Sequence, residues 1–189
     1  PMLDNVAELV DAGAQMGVDT RIFFARKANK ALVFVDTVRD AGHGVDVASE
    51  RELAQVLGRG VPGERIILSA AIKPDRLLEL AIDNGVTVSA DSRAELDRIS
   101  ALAGSRRARV APRVAPDPAS LPPTRFGERS GDWAEHLSGP VDGVDIVGLH
   151  VHLHGYAAAD RATALRECLS LIDALLDAGH APDFIDLGG

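Results

Sequence analysis

The sequence predicts an α/β fold on a parallel sheet, a (β/α)8 TIM-type barrel that is incomplete in this chain. Three observations predict it. Short apolar runs alternate with stretches of helical periodicity along nearly the whole chain, and strand–helix alternation means parallel pairing. About seven strand candidates fall within 189 residues, whereas a full barrel takes roughly 250, so the count fits a barrel lacking its last unit. The first strand-to-helix turn carries no G-x-G-x-x-G pattern, which lowers the dinucleotide-binding alternative.

The elements follow in order. A helix over 3–16 precedes a strand over 21–27, Arg21-Ile22-Phe23-Phe24-Ala25-Arg26-Lys27, and a helix over 30–41. Strand 44–48 leads into helix 50–58, where Ser49 and Glu52 match a capping box. Strand 65–70 is followed by helix 74–84, with Pro74 suited to its first turn and Gly85 to the position after its end. Strand 86–90 runs into helix 92–103, with Ser92 and Glu95 as a second capping box. Strand 109–115 gives way to a long irregular stretch holding Pro116, Pro118, Pro122 and Pro123, the kind of loop that is functional or flexible. A short helix over 131–137 and a strand over 146–153 come next. Helix 158–178 places Leu165, Cys168, Leu169, Ile172, Leu175 and Leu176 on one stripe and stops near Gly179. The last strand covers 183–187. The chain opens on Pro1 and closes on Gly188-Gly189 directly after that strand, so residues 1–189 read as one barrel domain, a fragment of a longer protein.

Composition narrows the function. A hydrophobic share of 46% suffices for one substantial core. The net charge of −8 argues against nucleic-acid and anionic-membrane partners, which call for a basic face. Single Cys168 excludes an internal disulfide framework and a Cys-rich zinc site, and fits a reducing, cytoplasmic compartment. The sequence shows neither an apolar run of membrane-spanning length nor a signal-peptide pattern.

In a parallel barrel, ligands gather at the C-terminal ends of the strands. Lys27, Asp46, Ser69, Arg113, His152 and Asp186 all fall there, from separate strands. Lys27 ends an aromatic and aliphatic run. Burial at such a place disfavours the ammonium and lowers its pKa, leaving the neutral amine that an aldehyde cofactor requires. Alternation sends His150, His152 and His154 to one face. Three imidazoles there can bind zinc, and a metal-dependent barrel hydrolase built on the His150/His152 strand is one alternative. Such hydrolases carry their His-x-His on the first strand, whereas here it lies near the sixth. That position argues for one functional histidine and no metal. Gly188-Gly189 after an apolar strand forms a candidate phosphate cradle.

Six segments, in this order, resemble the fold-type III, alanine-racemase-like pyridoxal-phosphate enzymes, and more closely the ornithine/diaminopimelate/arginine decarboxylase group. They are Phe24-Ala25-Arg26-Lys27-Ala28-Asn29; Asp46-Val47-Ala48-Ser49 running into Glu52; Arg113 on its strand; Arg125-Phe126-Gly127; His150-Val151-His152-Leu153-His154-Gly155; and Asp186-Leu187-Gly188-Gly189. The group's first segment reads Tyr-Ala-Val-Lys-Ala-Asn, so Phe24 replaces a tyrosine. His154-Gly155-Tyr156 replaces a Gly-Ser-Gln or Gly-Ser-Gly, which marks a divergent subgroup.

The resemblance implies pyridoxal 5'-phosphate as cofactor, a Schiff base on Lys27, and His152 stacked on the pyridine ring. It also implies Gly188 and Gly189 at the start of the phosphate loop, with Asp46 and Arg113 lining the pocket. It implies decarboxylation of a small-molecule amino-acid substrate, a basic or diamino acid, by a full-length homodimer, the chain by itself being a poor catalyst. Racemisation, or cofactor carriage without turnover, are the alternatives within the same fold.

Overall fold

The computed structural model describes residues 2–155 and 157–188. Strands β1 (Phe23–Ala25), β2 (Gly44–Val47), β3 (Ile66–Leu68), β4 (Thr87–Ala90) and β5 (Ala108–Ala115) come first, then β6 (Glu128–Arg129), β7 (Val144–Ile146), β8 (Gly148–Val151) and β9 (Phe184–Asp186). Helices α1 (Met2–Gln15), α2 (Leu32–Asp40), α3 (Glu50–Gly58), α4 (Asp75–Asp83), α5 (Arg93–Ala103), α6 (Ser130–His136) and α7 (Ala158–Asp177) alternate with them. All pairings are parallel, in the order β1-β2-β3-β4-β5-β8-β9. This is the expected incomplete TIM-type barrel.

Strands covered on both faces read as continuous apolar runs, and Val45, Val47, Ile66, Leu68, Val88, Val110 and Leu149 are fully buried. The helices supply Leu53, Val56, Leu78, Leu96, Ile99, Trp133, Leu137, Cys168 and Leu175 to the same core.

Both capping boxes form, with a modification. The hydroxyls of Ser49 and Ser92 accept the Glu52 and Glu95 N–H groups. Each glutamate then reaches back past the cap: Glu52 Oε2 accepts from Ala48 N–H and Glu95 Oε2 from Asp91 N–H, both at 2.8 Å. Each helix start is thereby tied to the strand end before it. Pro74 stands at the cap itself rather than in the first turn of α4.

The stripe expected on α7 is rotated. Ala164, Cys168, Leu171 and Leu175 face the core, while Leu169 and Leu176 are about half exposed. The helix carries two adjacent apolar rows: the one against the sheet is buried, while the other is partly covered at Leu165 and Ile172 and half exposed at Leu169 and Leu176.

The strand expected over 146–153 is two strands. Val110 on β5 faces Ile146, 36 positions on, whereas Arg113 faces His150, 37 positions on. One extra residue is therefore inserted opposite Ala111 and Pro112, a β-bulge, at a place where Pro112 has no N–H to donate. The consequence is directional. A one-residue slip exchanges the two faces of a strand. Continuous alternation from 146 would put His150 on the face of Ile146 and Val110, which belong to the helix-side core. The bulge instead puts His150 on the face of Arg113.

Strands β1 and β9 are the edges of the sheet. Arg21, just before β1, nonetheless approaches Asp183, just before β9, at 3.6 Å. The sheet has curled until its two edges nearly meet at their N-terminal ends. Among the described residues no helix is long and apolar enough to cross a membrane.

Candidate active site

Parallel register puts Asp46 beside Ala25, Ser89 beside Ala111, and His150 between Arg113 and Asp186. Paired residues share a face. The inner face of the curled sheet therefore collects the polar residues at its C-terminal rim.

Lys27 Nζ lies 3.5 Å from Asp46 Oδ2. Lys27 is not buried as the sequence suggested: its side chain is 50% exposed, against 17% for Asp46. β1 stops at Ala25, so Lys27 stands beyond the end of the strand ladder. The buried cation of this segment is Arg26, 2% exposed, whose Nη1 donates to the Asn29 carbonyl at 2.7 Å and whose Nη2 donates to Gln55 Oε1 at 3.2 Å.

Arg113 is held from all sides. Its Nη1 donates to Asp91 Oδ1 at 2.8 Å and its Nη2 to the Ser69 carbonyl at 2.6 Å. Its Nε lies 3.3 Å from both Ser89 Oγ and His150 Nδ1. The guanidinium stands 5.5 Å from the centre of the Phe126 ring, which also meets His152 edge-on at 6.3 Å. Gly127 makes this possible. At φ +80 it brings bare backbone against β5, where a Cβ would fall 2.5 Å from the Arg113 carbonyl. Trp133 Nε1 donates to that same carbonyl at 2.8 Å.

Burial sets the electrostatics. It raises Asp46 from its ordinary value; the Ser69 hydroxyl, close by but short of a hydrogen bond, opposes this, as does Lys27, while Asp186 adds to it. Asp186 is raised by burial too, against its hydrogen bond from Gly188 N–H (2.8 Å) and the charge of Arg113. His150 is held well below an ordinary histidine by burial and then by Arg113, and His152 is lowered by burial and then by Lys27.

The three histidines part company. His150 is 5% exposed and bonded to Ser89, His152 is half-buried beside Phe126, and His154 is exposed. Alternation fails for them because β8 ends at Val151. Among the described residues, no three His, Cys, Asp or Glu side chains gather as a metal site would require. Gly188 adopts φ +63, with its Cα placed so that a Cβ would sit 2.9 Å from the Val151 carbonyl and 3.4 Å from His152 Nδ1. Gly189 lies outside the described residues.

Sequence reasoning overlooked Ser89 and Asp91 and left His150 without a role. A signal existed, since Thr87, Ser89 and Asp91 alternate with Val88 and Ala90. It also overlooked two lysine–glutamate pairs of identical spacing. Lys30 bonds Glu52, and Lys73 bonds Glu95 at 2.7 Å, each 22 residues apart. Lys73 is fully buried, which lowers its pKa against the pull of Glu95.

The chain is similar to known proteins over nearly its whole length. It is 31% identical over 191 residues to an uncharacterized protein of Sinorhizobium fredii, covering 98% of this chain and 41% of that protein. It is 29% identical to the diaminopimelate decarboxylase of Aquifex aeolicus, covering 97% of this chain and 48% of that protein. The chain thus spans less than half the length of these relatives. In fold it matches a diaminopimelate decarboxylase of Helicobacter pylori crystallised with L-lysine, with a TM-score of 0.85 at 23% identity over 98% of this chain and 51% of that one. The family model for the pyridoxal-binding domain of pyridoxal-dependent decarboxylases matches residues 3–189. With that match and a curled parallel sheet bearing a lysine at the rim of its first strand, the chain belongs to the pyridoxal-dependent decarboxylase family, as its pyridoxal-binding domain.

Proposed function

We propose that the whole protein is a pyridoxal-phosphate-dependent decarboxylase of a basic or diamino acid, and that Lys27 carries the cofactor. The observation that bears most weight is the Lys27 amine at the sheet rim, 3.5 Å from Asp46, which shares its sheet face with Arg113 and Asp186. The residues fit such a cofactor. Asp46 Oδ1 and Ser69 Oγ are buried with no hydrogen-bond partner among the described residues, and buried polar atoms normally have one. Gly188 holds bare backbone against the Val151 carbonyl, where a Cβ would come to 2.9 Å.

In this reading each residue has a task. Lys27 would hold the cofactor through its aldehyde, with Asp46 orienting the lysine amine. His152, backed edge-on by Phe126, would cover one face of the cofactor ring. Gly188 and Gly189 open the phosphate loop, and Arg113 presents a fixed positive charge to the pocket wall. Once bound, the cofactor supplies an electron sink for the pair released as the Cα–carboxylate bond breaks. The protein's share is orientation and charge placement. The diaminopimelate decarboxylase of Aquifex aeolicus supports a basic or diamino substrate, and the acidic chain favours a cationic one.

The test is borohydride reduction of the full-length protein with pyridoxal phosphate, then peptide mapping. The tag is expected on Lys27. A tag on Lys30 or Lys73 instead overturns the assignment.

A further inference from the structure

Arg113 is useful to a ligand only if its guanidinium stays in one plane, and the interior holds a device for that. Ser89 Oγ lies 2.6 Å from His150 Nδ1, and Arg113 Nε lies 3.3 Å from both. Only one proton arrangement suits all three contacts. If Ser89 donates its hydrogen to Nδ1, its oxygen keeps lone pairs to accept Arg113 Nε–H. If Nδ1 carried the hydrogen, two N–H donors would face each other across that 3.3 Å. Nδ1 is therefore the acceptor, and the ring is neutral with its hydrogen on Nε2. The surroundings agree, since Arg113, His152, Lys27 and Lys73 all oppose a positive charge there, while Asp186 stands in register on β9.

A second, independent observation is the bulge between β7 and β8. Without the extra residue, His150 would face the helices, and Arg113 would stand opposite Leu149. The insertion brings an imidazole, 5% exposed, into register with a 4% exposed arginine. Burying both is costly unless their polar atoms are matched.

We infer that His150, acting with Ser89, is a positioning residue that fixes the Arg113 guanidinium toward the Lys27 pocket. This rests on Arg113 lining the cofactor pocket, as proposed above. His150 touches no reacting atom in this scheme. It closes the one side of Arg113 that Asp91 and the Ser69 carbonyl leave open.

The test compares His150→Asn, His150→Leu and Ser89→Ala in the full-length protein. Asparagine offers an amide oxygen near the place of Nδ1. Leucine fills the space without an acceptor. Two quantities are read: pyridoxal phosphate affinity of the apo-protein, from the absorbance of the bound cofactor, and the thermal midpoint. If His150 positions Arg113, His150→Asn stays within about threefold of wild type in affinity, while His150→Leu and Ser89→Ala weaken it about tenfold or more. If His150 only fills space, affinity follows side-chain volume, so leucine does as well as wild type and asparagine worse; that order overturns the inference. Equal affinity for all variants overturns it as well. Should His150→Leu not fold, Ser89→Ala against His150→Asn decides alone. A wild-type protein that binds no pyridoxal phosphate sinks the proposed function and this inference together, whereas binding with the volume-ordered pattern sinks only the inference.

Discussion

Glu95→Gln should unfold this domain far more easily than an ordinary helix substitution. Lys73 has a fully buried side chain, and its ammonium meets Glu95 Oε2 at 2.7 Å. The same oxygen accepts the Asp91 N–H at 2.8 Å, and Asp91 in turn anchors Arg113. Removing the charge leaves a buried ammonium without its counter-ion, a loss of about 3–5 kcal/mol when one partner of a buried pair is deleted. With a urea slope of roughly 2 kcal/mol/M for a domain of this size, the midpoint drops by on the order of 2 M. The double variant Lys73→Met with Glu95→Leu removes both charges and is expected to recover most of that loss, because a volume-matched apolar pair is often no worse than a buried ion pair. Urea unfolding of wild type, Lys73→Met, Glu95→Leu and the double variant closes a double-mutant cycle. A coupling energy below about 1 kcal/mol, the ordinary worth of an exposed pair, would refute the reasoning.

Four further outcomes are expected. Lys27→Ala should abolish borohydride-fixed cofactor while leaving the thermal midpoint nearly unchanged, since its side chain is half exposed. Asp46→Asn should raise stability at neutral pH while weakening cofactor binding. Burial lifts the folded-state pKa of Asp46 above 3.8, so its stabilising share is lost as pH climbs past that value, and an amide removes the loss; a lower midpoint at pH 7 would contradict this. His150 has the opposite sign. Its folded pKa lies well below 6.5, so acid protonates the unfolded chain first and stability falls as pH drops below that value. His150→Asn should flatten that limb of the profile, and an unchanged slope would count against a neutral buried imidazole. Gly127→Ala demands a strained positive φ and drives a Cβ to 2.5 Å from the Arg113 carbonyl. It should cost about 1–3 kcal/mol in urea unfolding and shift the emission of Trp133, which bonds that carbonyl.

The architecture was legible in the sequence, because periodicity and turn chemistry are local. Apolar runs such as Ile66-Ile67-Leu68 and the Ser49/Glu52 and Ser92/Glu95 boxes each specify their element without help from distant residues. The sequence also marked Lys27, Asp46, Arg113, His152 and Asp186 as rim residues, since a parallel strand's C-terminal end can be read from its order in the chain. What surrounds them was decided only in three dimensions. Whether Lys27 is covered depends on where β1 ends, and it ends at Ala25. Which row of α7 meets the core depends on where the sheet passes beneath it. The facing of His150 turns on one inserted residue opposite Ala111 and Pro112. Alternation within a strand fixes which residues share a face, but register with the neighbouring strand fixes which face that is. Register is a property of the assembled sheet, and here it is what brings His150, Ser89 and Arg113 together.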